Sequence, residues 1–211
     1  MKRITLFFIA FMLLGLVIKA QTTGTVTDSR DSKVYETVKI GTQTWLAENL
    51  SYKPSSGNFW AYDNNESNIT QSGYLYDWAT AKTSCPTGWH LPSDAEWKIL
   101  EIQLGMVSEK AGYEGFRGKD EGSKLKSVTG WEKYGESLGN GKNTSGLNVL
   151  PSGIRTSSGT FQEKKSYSAF WTSTSNSVGT ACDRRLSYDE IRIGRNNEKV
   201  GYGYSVRCVK D

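Results

Sequence analysis

The chain has 211 residues, a formal net charge of +4, and seven Trp and eleven Tyr against three Met. That length suits one domain with a sizeable core, and many aromatics with few Leu and Met speak for a β-rich, loop-rich fold over a helical bundle. No basic run or stripe is present, which excludes the electrostatic footprint of a nucleic-acid binder.

At the N-terminus, Lys2 and Arg3 precede an apolar run from Ile4 to Ile18, and Ala20 offers a small residue before Gln21. This is the pattern of a secretory signal peptide over residues 1–20. The run is shorter than the roughly 20 residues a spanning helix needs, so no membrane span is expected after cleavage. Removing Lys2, Arg3 and Lys19 lowers the net charge from +4 to +1. The protein is therefore expected to be exported, to the periplasm, the cell surface or the medium. Its cysteines, Cys85, Cys182 and Cys208, would meet an oxidising compartment, where one disulfide and one leftover thiol is the simplest arithmetic. Sequence alone allows three pairings.

Residues 21–33 are polar and read as a flexible N-terminal segment. The stretch VYETVKIGTQTWLAENL (34–50) reads as a hairpin with Gly41 at its turn. Residues 51–72, rich in Ser, Asn and Gly, read as a long surface loop that carries Trp60 and Tyr62. A short helix is expected around Asp77 to Lys82 and a second within 94–104. Residues 105–145 read as an irregular excursion. From 146 onward the pattern is of short strands. In the last, Tyr204, Val206 and Cys208 alternate with Ser205, Arg207 and Val209, the period of a half-buried strand. An early strand near 35–46 could pair with the late one at 203–210, giving an α+β arrangement.

The stretch CPTGWHLPSDAEW (85–97) holds the only histidine, beside a cysteine, an aspartate and a glutamate. Its Ser93-x-x-Glu96 is a capping box, in which each side chain can take the other residue's backbone N–H. Asp94 in the first turn suits the helix dipole, and Pro92 keeps Leu91 extended. Trp97, Leu100 and Leu104 then form one apolar stripe, and Gly105 supplies the stop. A zinc site usually takes four ligands, Cys or His predominant, and one His with three scattered Cys and no C-x-x-C makes zinc an unpromising reading. A Cys–His nucleophile would need Cys85 free. A general-base role for His90 stays open, with no partner selected by the sequence.

The blocks IGTQTWLAENL (40–50), GYLYDWATAK (73–82), CPTGWHLPSDAEW (85–97), LKSVTGW (125–131), LPSGIR (150–155), FWTSTS (170–175) and YSVRCVKD (204–211) resemble, in order, those of the Fibrobacter succinogenes major paralogous domain, found in exported proteins of Bacteroidetes and Fibrobacteres. The resemblance covers nearly all of 34–211. It implies a C-type lectin-like fold: two short helices, a small antiparallel sheet, termini in neighbouring strands and long loops. It is distantly similar to the formylglycine-generating enzymes, which share the L-P-[ST]-x-x-E-W helix start. It also implies a Cys85–Cys208 disulfide, with Cys182 a buried free thiol in a strand. Many relatives carry a second cysteine pair where this chain has Ala61 and Ile69, so the 51–72 loop is expected to be looser here.

The family has no established reaction, and a shared fold does not supply one. The first expectation is a non-catalytic binding or cell-surface module, without cofactor, whose partner is a glycan or an envelope protein. Aromatics in the long loops, Trp60, Tyr62, Trp131 and Tyr134 foremost and Tyr113 and Phe116 beside them, suit stacking on sugars; Trp60 and Trp131 could equally roof the core. The second is an oxidase like the formylglycine-generating enzymes, which needs two late cysteines free. The third is a calcium-dependent lectin, for which Asp63 and Glu66 in the Asp63–Glu66 tetrad are the oxygen-rich candidates.

Overall fold

The computed structural model describes residues 22–211; the expected signal peptide lies outside the described residues. Nine strands build the two larger sheets: β1 (Thr22–Thr27), β2 (Val34–Ile40), β3 (Gln43–Leu46), β4 (Trp89–His90), β5 (Gly115–Arg117), β6 (Tyr167–Ser177), β7 (Thr180–Ser187), β8 (Ile193–Lys199) and β9 (Val209–Lys210). The first sheet runs β1-β2-β3-β9-β4, the second β6-β7-β8-β5, with antiparallel neighbours throughout. Five helices accompany them: α1 (Ile69–Ser72), α2 (Trp78–Ser84), α3 (Asp94–Gln103), α4 (Ser108–Ala111) and α5 (Glu121–Leu125). The architecture is α+β with several small antiparallel sheets. The two helices expected from sequence are α2 and α3, and the other three are single turns or little more.

Local chemistry accounts for the elements. In β2, Tyr35, Thr37, Val38 and Ile40 point inward while Glu36 and Lys39 face water. The β2–β3 hairpin turns over Gly41 and Thr42, and Gly41 adopts φ +61°, a left-handed value that glycine takes without a steric penalty. Asp77 caps α2 by accepting the N–H of Thr80 at 2.8 Å. On α3, Trp97 and Leu100 are buried and Leu104 packs at the edge of the same cluster, as the stripe requires.

The core has two parts. One lies beneath α3, where Trp97 packs on Trp45 (centroids 5.0 Å apart) and on Phe170 (5.8 Å). The other gathers Tyr35, Leu46, Leu50, Tyr76, Trp171 and Tyr204, with Trp171 and Tyr204 at 4.5 Å. Offset aromatic pairs of this kind add to plain area burial. Ala61 is buried and Ile69 half-buried in this second cluster, so both positions of the 51–72 segment make apolar contact with the core.

Three readings need correction. Residues 22–33 are not a flexible segment. Thr22–Thr27 pair residue for residue with β2, and the return turn is closed by Asp28, which accepts from the Arg30 backbone and guanidinium. The segment 105–145 is not wholly irregular, because it contributes edge strand β5, two short helices and a hairpin of 133–134 with 137–138. Finally, the C-terminal segment is not half-buried. Residues 203–209 are buried on both sides, Arg207 at 1% exposure included. Only Val209–Lys210 is regular strand; before it, isolated bridges tie Tyr204 to Tyr76 and Ser205 to Phe170.

Candidate functional site

The 85–97 stretch is a joint. Cys85, just after α2, is bonded to Cys208, 123 residues later. Ser93 and Glu96 form the complete capping box: Ser93 Oγ accepts the Glu96 N–H at 3.2 Å, and Glu96 Oε2 accepts the Ser93 N–H at 2.7 Å. The other oxygen of Glu96 meets His90 Nε2 at 2.7 Å, and His90 Nδ1 meets Asp211 Oδ1 at 2.6 Å. Burial by itself would lower the His90 pKa. The hydrogen bonds and charges of Asp211 and Glu96 outweigh it and hold the pKa above its ordinary value. Charged imidazolium donates from both nitrogens, so His90 here clips the start of α3 to the end of the chain. Neither nitrogen is left free to accept a proton from a substrate.

Beneath this joint sits a buried charge cluster that the sequence did not announce. Glu101, fully buried, binds Arg117 Nη2 at 2.5 Å and Arg184 Nε at 2.6 Å. Asp94 binds Arg184 at 2.9 Å, Arg195 at 2.8 Å and Lys98 at 2.7 Å. Burial would raise the Asp94 pKa, but hydrogen bonds from Arg195 and Lys98 and the Arg184 charge hold it well below the usual carboxylate range. This cluster joins α3 to β5, β7 and β8 and is closed on itself. Next to it, Cys182 is the free, buried thiol in a strand, with Sγ 3.2 Å from Asn197 Oδ1. Burial, then the Asp94 charge, push its pKa up, the reverse of what a reactive cysteine needs.

Trp60, Tyr62 and Trp131 do not form one platform. Trp60 and Tyr62 lie together: Arg155 covers the Trp60 ring at 4.0 Å, and Tyr62, itself buried, packs on Phe161 at 5.3 Å. Trp131 is elsewhere and is a core residue at 5% exposure, its Nε1 donating to Ser127 Oγ and the Val149 carbonyl at 3.1 Å each. Tyr134 lies on the 133–138 hairpin. Tyr113 is exposed and Phe116 half-buried in β5. Of the oxygen-rich tetrad, Glu66 accepts the Tyr74 hydroxyl at 2.8 Å and sits 3.7 Å from Lys53, while Asp63 occupies a left-handed turn position. Among the described residues no group of three or more His, Cys, Asp or Glu converges on a point where a metal could sit.

The concave surface lies on another side, around α1. A cavity of about 360 Å³ is lined by Glu48, Asn49, Thr70, Gln71, Asn148 and Arg207, among others. A second, of about 520 Å³, shares Gln71 with it and is lined by Gly130, Trp131, Pro151 and Lys164. A third, of about 620 Å³, shares Glu132, Lys164 and Lys165 with the second. Shared lining residues set the three side by side along a furrow of amides, hydroxyls and charges of both signs, with Trp131 and Pro151 as its apolar part. Its first wall, 47–51 and 69–73, is held by Asn49, whose amide donates to the Ser72 carbonyl at 2.9 Å. Gly73 (φ +68°) is required there, because a Cβ would stand 2.5 Å from the Leu50 carbonyl oxygen. Of this face the sequence marked only Trp131, since the lining comes from seven separated segments.

The family model described as the Fibrobacter succinogenes major domain matches residues 38–210. The chain belongs to that family. No curated protein and no solved structure matches it.

Proposed function

We propose that this member of the Fibrobacter succinogenes major domain family is an exported, non-catalytic binding module whose ligand is a glycan, held along the furrow beside α1. The observation that carries the reading is a row of three adjoining concavities beside α1, whose lining supplies amide, hydroxyl, lysine and glutamate groups, with Trp131 and Pro151 in the middle one. Such a lining matches the dense hydroxyls of a sugar better than an apolar ligand. Export is supported by the charged and apolar N-terminus and by the disulfide. The C-type lectin-like assignment is supported by the two longest helices, α2 and α3, and by a sheet in which early strand β3 pairs with late strand β9. Against the oxidase alternative, Cys208 is bonded to Cys85, which leaves Cys182 without a second late thiol. A calcium-dependent mode draws no support from Asp63 and Glu66, which do not converge.

The test is a glycan array probed with the purified protein. Saturable binding to a defined set of glycans is the expected result, and a blank array sinks the reading. A protein partner is the second reading, favoured by Ile99 and Ile102, exposed one turn apart on the outer face of α3. Cross-linking in the cell envelope, with Ile99→Lys as the control that abolishes it, tests that reading separately.

A further inference from the structure

We propose that the cavity at Arg207 is an anionic subsite of this face and holds the carboxylate of an acidic sugar, a hexuronic acid residue. The inference rests on the glycan reading and narrows it. Arg207 is 1% exposed, yet among the described residues no carboxylate lies within ion-pair distance of it. Its Nε donates to Asn49 Oδ1 at 2.8 Å, and its Nη1 donates to the Leu46 and Leu147 carbonyls. Among the described residues its Nη2 has no hydrogen-bond partner. Nor is that amine sealed in, because the sealed orphans are Trp97 Nε1 and Arg117 Nε. Arg207 lines the cavity, and Nη2 is the guanidinium nitrogen left without a protein partner among the described residues.

A buried cation without a counter-ion is costly, and this chain shows the ordinary remedy elsewhere: Arg117 and Arg184 share Glu101. At Arg207 the cost is visible as a pKa lowered to about 9 by burial, with only the distant charge of Glu48 opposing it. Glu48 itself is engaged, accepting the Glu36 N–H at 2.9 Å and pairing with Lys33 at 3.6 Å. A ligand carboxylate would supply the missing charge.

The rest of the lining selects among anions. Lys33 and Arg207 face Glu36 and Glu48, so the cavity walls carry no net charge. Glu36 and Glu48 repel any anion, a doubly charged phosphate about twice as strongly as a single carboxylate, and the one unpartnered amine matches the single charge. Thr70 and Gln71 on the rim are exposed, and their side chains make no hydrogen bond among the described residues. They offer the hydroxyl and amide that ring hydroxyls need. The volume of about 360 Å³ lies within the range of small-ligand sites, which runs from roughly 300 to 1,000 Å³.

The experiment is calorimetric titration of the purified protein with D-glucuronate and with its methyl ester, which keeps the ring and its hydroxyls and replaces the charge with a small methyl group. Glucuronate should bind about tenfold more tightly than the ester or better, the worth of one charge-assisted hydrogen bond. Thr70→Glu places a carboxylate on the exposed rim without touching the fold. It should weaken glucuronate roughly fivefold and leave the ester unchanged. Equal affinities for acid and ester, or indifference of glucuronate to Thr70→Glu, overturns the subsite. If neutral glycans still bind the array, only the carboxylate inference has failed; if the array is blank as well, the glycan reading falls with it.

Discussion

Removing the Cys85–Cys208 bond should be the most damaging single covalent change. The cross-link closes 123 residues of a described chain of 190, from the end of α2 to the last strand. In the loop-entropy account a loop of that length removes about 16 cal/mol/K from the unfolded ensemble, or about 5 kcal/mol at 25 °C. Replacing both cysteines by alanine also deletes two sulfurs, one of them fully buried at Cys208, at a further cost of about 1 kcal/mol. The double variant Cys85→Ala, Cys208→Ala avoids any re-pairing with Cys182. Urea denaturation should place it about 4–6 kcal/mol below the oxidised protein, and heating should lower Tm by about 10–20 °C for a domain of this size. Part of the change should appear as a larger m value, because the uncrosslinked unfolded chain exposes more surface. If the two proteins agree within about 1 kcal/mol at equal m, the bond does not restrain the unfolded chain and the reasoning fails.

Two further outcomes test the joint and the charge cluster. His90 is the sole histidine, so its ring protons titrate without overlap in NMR, and its pKa should lie above 6.5; a value at or below 6.5 removes the clip. Because the folded pKa is raised, its stabilisation is complete below the unfolded pKa and is lost as pH rises through the folded one. His90→Gln should therefore cost stability near pH 5.5 and little near pH 9, by under ~1 kcal/mol since the ring is 41% exposed and screened. Glu101→Gln leaves Arg117 and Arg184 buried without their shared carboxylate and should cost about 3–5 kcal/mol by urea denaturation; a loss under about 1 kcal/mol would mean the arginines are neutralised another way.

What the sequence showed, and what it hid, divides by range. The capping box is a four-residue pattern, so Ser93 and Glu96 were legible with their hydrogen bonds. The hairpin at 34–46 and the helix after Asp77 were legible for the same reason. β1 was not, because it is an edge strand of Thr and Gly with nearly every residue exposed. Its order comes from backbone pairing, which leaves no hydrophobic period to read. Asp94 could be assigned to the helix dipole, but its main partners, Arg184 and Arg195, lie 90 and 101 residues away. The partner of His90 was likewise hidden, 121 residues downstream. Arg207 was misplaced by its own strand. Alternation sets it opposite Val206 and Cys208, the apparent core side, yet Asn49 and the Leu147 carbonyl cover that opposite face.

The last eight residues concentrate these long-range ties. Tyr204 stacks on Trp171, Cys208 is stapled to Cys85, Val209 pairs with both Trp45 and His90, and Asp211 receives His90. Arg207 sits in the middle of that run. An anion bound to its free amine therefore acts on the segment that closes the domain, and its binding energy should appear as stability of the whole fold. A ligand at 100 times its Kd adds about 2.7 kcal/mol if it binds the folded state alone. In the Cys85→Ala, Cys208→Ala variant the same ligand should add the same increment to a much smaller total, so its relative protection is largest where the staple is gone. Protection confined to the crosslinked protein would instead mean that the cavity forms only when Cys208 is held in place.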